Sequence, residues 1–252
     1  MKARPATSQN PRLVAQGLSK RYGGLLAVAD MTMEIREREI LGLIGPNGAG
    51  KSTTFNLLSG FVKPTSGRLF IDGHDATGRS PEYISRRGLV RTFQHGSLMP
   101  TMTVRDNILV GAIGGMRGSR HPQRMARVHE MAELLGLTGV LDEVAGGLSH
   151  GLQRLLGIAI AFAPQPRLLC LDEPLTGLNQ TEVAAVLDIF RHIRNQFNTS
   201  ILLVEHNMKA VMQVCDRLYV LHYGKLLATG TPEEVRTDPQ VLSAYLGGAH
   251  VD

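Results

Sequence analysis

At 252 residues the chain is one large domain or two small ones, long enough to bury about three-quarters of its unfolded surface. Hydrophobic residues make up 43% and charged residues 19%, a globular balance that excludes a disordered chain. The net charge of +5 suits an anionic ligand, an anionic membrane surface or nucleic acid, and does not choose among them.

Residues 1–12 read as a polar tail with no apolar signal core. Tyr22, in "LSKRYGG", is an aromatic ahead of the first strand pair, and is either a surface side chain or a platform for a base. An apolar strand from Ile40 then leads into Gly45-Pro46-Asn47-Gly48-Ala49-Gly50-Lys51-Ser52, a full match to G-x-x-x-x-G-K-[ST]. A helix is predicted over Thr53 to Leu58. The glycines let the backbone curl so that successive N–H groups point at phosphate oxygens. The helix that follows adds free N–H groups and the positive end of its dipole to the same anion site. In such a loop Lys51 reaches the β- and γ-phosphates and the Ser52 hydroxyl ligates Mg2+.

Further along, "GLVRTFQ" (Gly88 to Gln94) ends a β-like run, and the Gln94 amide can touch the metal or an attacking water. "QRMARVHEMAELLGL" (Gln123 to Leu137) places Met125, Val128, Met131, Leu134 and Leu135 at helical spacing. "LSHGLQR" (Leu148 to Arg154) is a second small-polar turn running into an apolar helix. The longest apolar run, Leu155 to Ala163, is about half of what a membrane span needs, so the chain is expected to be soluble and cytoplasmic, meeting a membrane only through a partner. "RLLCLDEP" (Arg167 to Pro174) is a buried-strand pattern ending in two acids: Asp172 to reach the metal through a water, Glu173 to orient or deprotonate the attacking water. "SILLVEHN" (Ser200 to Asn207) repeats the format with Glu205 and His206. At the C-terminal edge of a parallel sheet His206 would contact the γ-phosphate; elsewhere it would be structural. Cys170 and Cys215 have no metal-ligand spacing and read as small buried apolar groups.

Taken in this order, these pieces resemble the ATP-binding cassette (ABC) ATPase family. Tyr22 matches its adenine-stacking aromatic, Gly45 to Thr53 its Walker A loop, Gln94 its Q-loop and Leu148 to Arg154 its signature motif. Leu168 to Glu173 matches Walker B, Gly177 to Gln180 the D-loop and His206 the H-loop. The resemblance implies an α/β fold: a P-loop ABC-type core with an antiparallel β subdomain and an inserted helical subdomain. A single domain would cover residues 13–248, with the helical part at about 90–163. It also implies ATP and Mg2+ as ligands. Two cassettes would face each other head to tail, Ser149 and the N–H groups at Gly151 of one completing the phosphate site of the other. Hydrolysis would open the pair, and the movement would pass to a membrane partner through surface residues near Phe93, Leu98 and Met99.

"RTFQH", "MTVRDNILVG", "DEPLTGLN", "VEHNM" and "AYLGG" look more narrowly like the ATPase subunits of branched-chain amino acid importers, in which the D-loop reads G-L-N, as at Asn179. That implies permease subunits, a second cassette (the same chain or another), an extracytoplasmic binding protein and a place on the cytoplasmic face of the cell membrane. Two alternatives stand beside this reading. A soluble ABC ATPase acting on nucleic acid is opposed by the lack of a basic tail or heptad insertion, so no nucleic acid is expected. A non-hydrolysing regulatory subunit is opposed by Glu173, Gln94 and His206 together. Within the signature, Leu152 departs from the usual polar residue; Leu cannot hydrogen-bond a ribose or phosphate, and Gln153, the next residue on a helix, points about 100° away.

Overall fold

The computed structural model describes residues 11–92, 98–115 and 119–246. The chain opens with an antiparallel hairpin, β1 (Pro11–Tyr22) and β2 (Leu25–Arg36), then crosses into a second sheet as β3 (Ile40–Ile44). Helix α1 (Lys51–Leu58) follows, and β4 (Ser66–Ile71) and β5 (His74–Asp75) return to the first sheet, whose order is β2-β1-β4-β5. After α2 (Pro81–Arg86), β6 (Leu89–Arg91) re-enters the second sheet. Three helices intervene, α3 (Val104–Gly115), α4 (His121–Leu134) and α5 (His150–Phe162), with α3 packed on both of the others. The second sheet resumes with β7 (Leu168–Asp172), α6 (Gln180–Phe197), β8 (Ser200–Val204), α7 (Met208–Val214), β9 (Arg217–His222) and β10 (Lys225–Gly230). Helices α8 (Pro232–Thr237) and α9 (Pro239–Leu246) complete it.

The second sheet has the order β10-β9-β3-β8-β7-β6 and is parallel except at β10. Strands β3, β7 and β8 are buried at every position, as continuous apolar runs must be when both faces are covered. Alternate residues feed two cores. Leu41, Leu43, Leu168, Cys170, Leu202 and Val204 face the antiparallel sheet, packing with Leu13, Met31 and Ile35. Ile40, Ile44, Leu169, Leu171, Ile201 and Leu203 face the helices, packing with Phe162, Phe190 and Val211. A one-residue slip would exchange the two sets, so two separate cores fix one register. Because β3, β7 and β8 run the same way, Ile44, Asp172 and Val204 finish at one edge, and the loops that follow carry the chemistry.

Three sequence expectations change. The helix after the glycine loop starts at Lys51, two residues earlier than the apolar pattern suggested, because the lysine and serine already adopt helical backbone while serving the loop. Tyr22 is the last residue of β1 rather than a residue ahead of the strand pair. Leu98 is not an exposed docking residue: it packs against the helical core, and the Met99 N–H donates to the buried Asn107 Oδ1 at 2.8 Å. Phe93, named with them, lies outside the described residues. Both cysteines are buried and unbridged, and burial pushes the Cys170 thiol up to about 12, which leaves it inert. Among the described residues no helix is long and apolar enough to cross a membrane.

Candidate functional site

The glycine loop between β3 and α1 has room for nothing larger at two positions. Gly45 has φ 152°, and a Cβ there would lie 2.2 Å from the Leu221 carbonyl oxygen. Gly50 has φ 100°, and a Cβ there would lie 2.7 Å from the Ala27 carbonyl oxygen. The walls they touch belong to β9 and β2, so the loop is wedged between two sheets. The turn from β9 to β10 is its floor: the Gly224 N–H donates to the Ala49 carbonyl at 2.9 Å. Across the loop, Lys51 Nζ donates to the carbonyls of Gly45 at 2.7 Å and Pro46 at 3.0 Å. Helix α1 starts at Gly50 with no side-chain cap, which leaves the N–H groups of its first turn for a ligand. Burial lowers the Lys51 pKa, and the nearby carboxylates of Glu173 and Asp172 oppose that fall.

Asp172 ends β7 and is almost wholly buried. Its N–H donates to Thr92 Oγ1 at 3.1 Å, and the Thr92 N–H donates to the Cys170 carbonyl at 2.9 Å, so the end of β6 clasps it. Burial raises the Asp172 pKa; Arg91 and Lys51 oppose the rise, while Glu173 and Glu205 add to it. Asp172 is thus a desolvated carboxylate set among two cations and two further acids. Glu173 adopts a left-handed backbone, φ 48°, which costs a side-chain-bearing residue about 1–2 kcal/mol. The turn is held by its N–H, which donates to the Val204 carbonyl at 2.8 Å. Glu173 Oε1 then lies 3.8 Å from His206 Nδ1, and the imidazole is 61% exposed, open to whatever enters.

The second small-polar turn is built differently. Ser149 is the N-cap of α5, its Oγ accepting the Leu152 N–H at 3.4 Å. Gly151 sits against the start of α6, where a Cβ would fall 2.8 Å from Glu182 Oε1, the mobile end of that side chain. Asn179 caps α6, accepting the N–H groups of Thr181 and Glu182, both at 3.0 Å, while Glu182 returns the bond to the Asn179 N–H at 2.8 Å. The Asn of the D-loop is therefore a helix cap. Gln153 turns back, donating to the carbonyls of Leu148 at 3.1 Å and Ala145 at 3.4 Å, and is spoken for locally. Leu152 lines an apolar groove of about 430 Å3 with Leu134, Leu155, Leu178, Val186 and Ile189.

The structure thus gathers Lys51, Asp172, Glu173 and His206 at one sheet edge. Tyr22 is 46% exposed, with the Lys20 ammonium 5.1 Å from its ring centroid, available for stacking. Ser149 and Gly151 belong to the helical layer, and their contacts run to α5 itself and to α6. Gln94 lies outside the described residues. Sequence reasoning missed two features. Glu205, noted only as a strand-end acid, is buried and bonded to two loops. The second is Tyr245 on α9: the Gly45 N–H hydrogen-bonds its hydroxyl, and a cavity of about 680 Å3 lies between α9 and the phosphate loop. Neither has a local signal, since the partner that matters, Leu175 or Gly45, is distant in the chain.

A family model described as "ABC transporter" matches residues 28–176, and one described as "Branched-chain amino acid ATP-binding cassette transporter" matches residues 225–251. The chain is 45% identical over 252 residues to the high-affinity branched-chain amino acid transport ATP-binding protein LivG of Salmonella typhimurium, covering 95% of this chain and 99% of the relative. It is 40% identical over 254 residues to the protein of the same description, BraF, of Pseudomonas aeruginosa, covering 95% and 99%. Among solved structures, the ADP conformation of an ATP-binding cassette of an ABC transporter superposes with a TM-score of 0.84 at 28% identity, covering 94% of this chain and 99% of that one.

Proposed function

This chain belongs to the ABC transporter family, and from that premise we propose that it is the ATP-hydrolysing subunit of an importer for branched-chain amino acids. The observation that carries the hydrolytic part is the shared edge of β3, β7 and β8, where an ammonium, two carboxylates and an imidazole face one glycine loop. The cargo rests on the relatives named for branched-chain amino acid transport, since a cassette of this kind need not touch what is carried.

In this reading Gly45 and Pro46 shape the turn, and the N–H groups of Asn47, Gly48, Ala49, Gly50, Lys51, Ser52 and Thr53 cradle the phosphates of ATP. Lys51 gives up the Gly45 and Pro46 carbonyls and turns its ammonium to the β- and γ-oxygens. Tyr22 stacks on the adenine. Mg2+, when bound, neutralises charge between those oxygens. The residues that would hold it are Ser52, Gln94 and, through a water, Asp172, a small number that suits a cation keeping several waters. Glu173 accepts a proton from the attacking water, and His206 holds the γ-phosphate beside it.

Ser149 and the N–H at Gly151 serve the nucleotide of a second cassette, so the site is whole only in a dimer. Residues 13–248 act as one cassette, with the helices between β6 and β7, within about 90–163, as the arm that passes movement to permease subunits on the cytoplasmic face of the membrane. A binding protein delivers the amino acid on the far side.

Glu173→Gln tests this. The purified variant should hold ATP in a stable dimer while hydrolysis falls about 10²- to 10⁴-fold, and cells carrying it as their only copy should lose uptake of labelled leucine, isoleucine and valine. Hydrolysis near the wild-type rate would remove Glu173 as the base; intact uptake would remove the cargo.

A further inference from the structure

Glu205 follows β8 directly and is 1% exposed, and its carboxylate is met by backbone N–H groups, with the His206 imidazole Nδ1 3.9 Å from Oε2. Oε1 accepts the Leu175 N–H at 2.8 Å, in the loop after β7. Oε2 accepts the N–H groups of His206 at 3.1 Å and Asn207 at 3.3 Å, in the loop after β8. The parallel ladder between these strands has its last rung at Asp172 and Val204, and the last backbone bond beyond it is Glu173 N–H to the Val204 carbonyl. Past that point nothing in the ladder fixes the separation of the two loops. Glu205 spans the gap where the ladder stops.

The consequence is local and geometric. Glu173 lies two residues before Leu175, and His206 is one of the groups that Glu205 itself binds. Tying Leu175 to His206 therefore sets where the two side chains can meet, at 3.8 Å. The tie also reaches the D-loop, because the Leu178 N–H donates to the Leu175 carbonyl at 3.2 Å and Asn179 follows. A carboxylate suits a strut of this kind, because both of its oxygens accept and three backbone N–H donors converge on them in a buried place. An amide of the same shape accepts on one side only and turns an N–H against an N–H on the other.

We propose that Glu205 is a positioning residue for ATP hydrolysis, a buried strut that holds the loop bearing Glu173 and the loop bearing His206 at one working distance. The proposal rests on the reading of Glu173 and His206 as the hydrolytic pair. Glu205 touches no nucleotide; it acts through the two groups that do.

The experiment compares Glu205→Gln, His206→Ala and the double variant in the full-length chain, measuring kcat, KM and direct ATP binding. Glu205→Gln should lower kcat about 10- to 100-fold, the cost of misplacing reacting groups by a fraction of an ångström to an ångström. KM and the stoichiometry of bound ATP should stay within about 2-fold, because the phosphate loop is untouched. In the His206→Ala background the same change should cost little more, since a strut for an absent imidazole has less to position. A normal kcat in Glu205→Gln, or effects that simply multiply in the double variant, would overturn the proposal. So would a fall in rate matched by an equal fall in ATP-binding protein, which marks a folding role alone. Should Glu205→Gln fail to fold, Glu205→Asp decides: it keeps the charge, reaches its own loop and falls short of Leu175, so kcat should drop with ATP binding intact, and a wild-type kcat overturns the strut. A normal rate in His206→Ala would instead sink the underlying pair, whereas a normal rate in Glu205→Gln with His206→Ala impaired sinks only the strut.

Discussion

Helices α1 and α5 both begin at small-polar turns, yet only one of them is finished. Helix α1 starts at Gly50, which offers its first turn no side-chain acceptor, and the lysine that begins it is folded over the loop carbonyls. Helix α5 starts at Ser149, which caps the Leu152 N–H, and Gln153 satisfies carbonyls of the preceding turn. The first terminus is left open for a ligand and surrounded by charge. The second carries its own side-chain cap, with Gly151 beside the capped start of α6. An open, charged terminus binds on its own; a self-capped one adds affinity only when a phosphate is brought to it. Under the proposed function, this difference suits α1 to nucleotide capture and leaves α5 to answer a partner's nucleotide.

The change that breaks this comparison most severely is Lys51→Ala. It removes the cation from the open terminus and a charge-assisted bond to phosphate worth about 1.5–3 kcal/mol, so ATP affinity of the isolated chain should fall roughly 10- to 100-fold in a direct binding titration. If ATP binding survives unchanged, α1 is not the capture site and the contrast collapses.

Ser149→Ala is expected to act differently and less. The isolated chain should bind ATP as before, while hydrolysis in the assembled dimer falls about 10-fold, because only the partner's phosphate is missing a donor. Loss of the cap should also lower stability by about 1 kcal/mol, readable in urea unfolding. Ser149→Asp sharpens the point: aspartate caps as well as serine but turns a negative charge toward a phosphate, so stability should return while hydrolysis does not. Recovery of both together would make Ser149 a cap and nothing more.

How far the sequence carried this contrast depends on how local each feature is. The glycine loop and the acids after β7 sit within a few residues of the strand that positions them, so local spacing marked them as candidates, while the His after β8 stayed open until the family resemblance was added. The apolar runs of β3, β7 and β8 were legible as strands for the same reason, and the fold shows them covered on both faces. Glu205 did not stand out, because what makes it special is Leu175, which the chain reaches only through the return of α6 and β8. Tyr245 was equally silent: a tyrosine in a short helix says nothing until α9 is seen against Gly45. Gln153 looked like a spare polar group beside the signature turn, and periodicity gave its direction but not the carbonyls of Ala145 and Leu148 that occupy it.

Leu152 is where sequence and structure part most usefully, and it carries the smallest expected effect. By resemblance it is a missing polar contact. In the fold its side chain is half-buried beside Leu134, Leu155 and Leu178, in a mainly apolar groove that Glu133, Ser149 and Glu182 also line, the last two of them already engaged in helix caps. Its N–H, not its side chain, serves the turn, through Ser149. Leu152→Gln should therefore change hydrolysis in the assembled transporter by less than about 2-fold and lower stability by about 1 kcal/mol as apolar burial is lost. A several-fold gain in hydrolysis with unchanged stability would mean that the glutamine leaves the groove and finds the partner's nucleotide. The self-capped turn would then have been one contact short of its full strength, and the gap between α1 and α5 would be smaller than the two caps suggest.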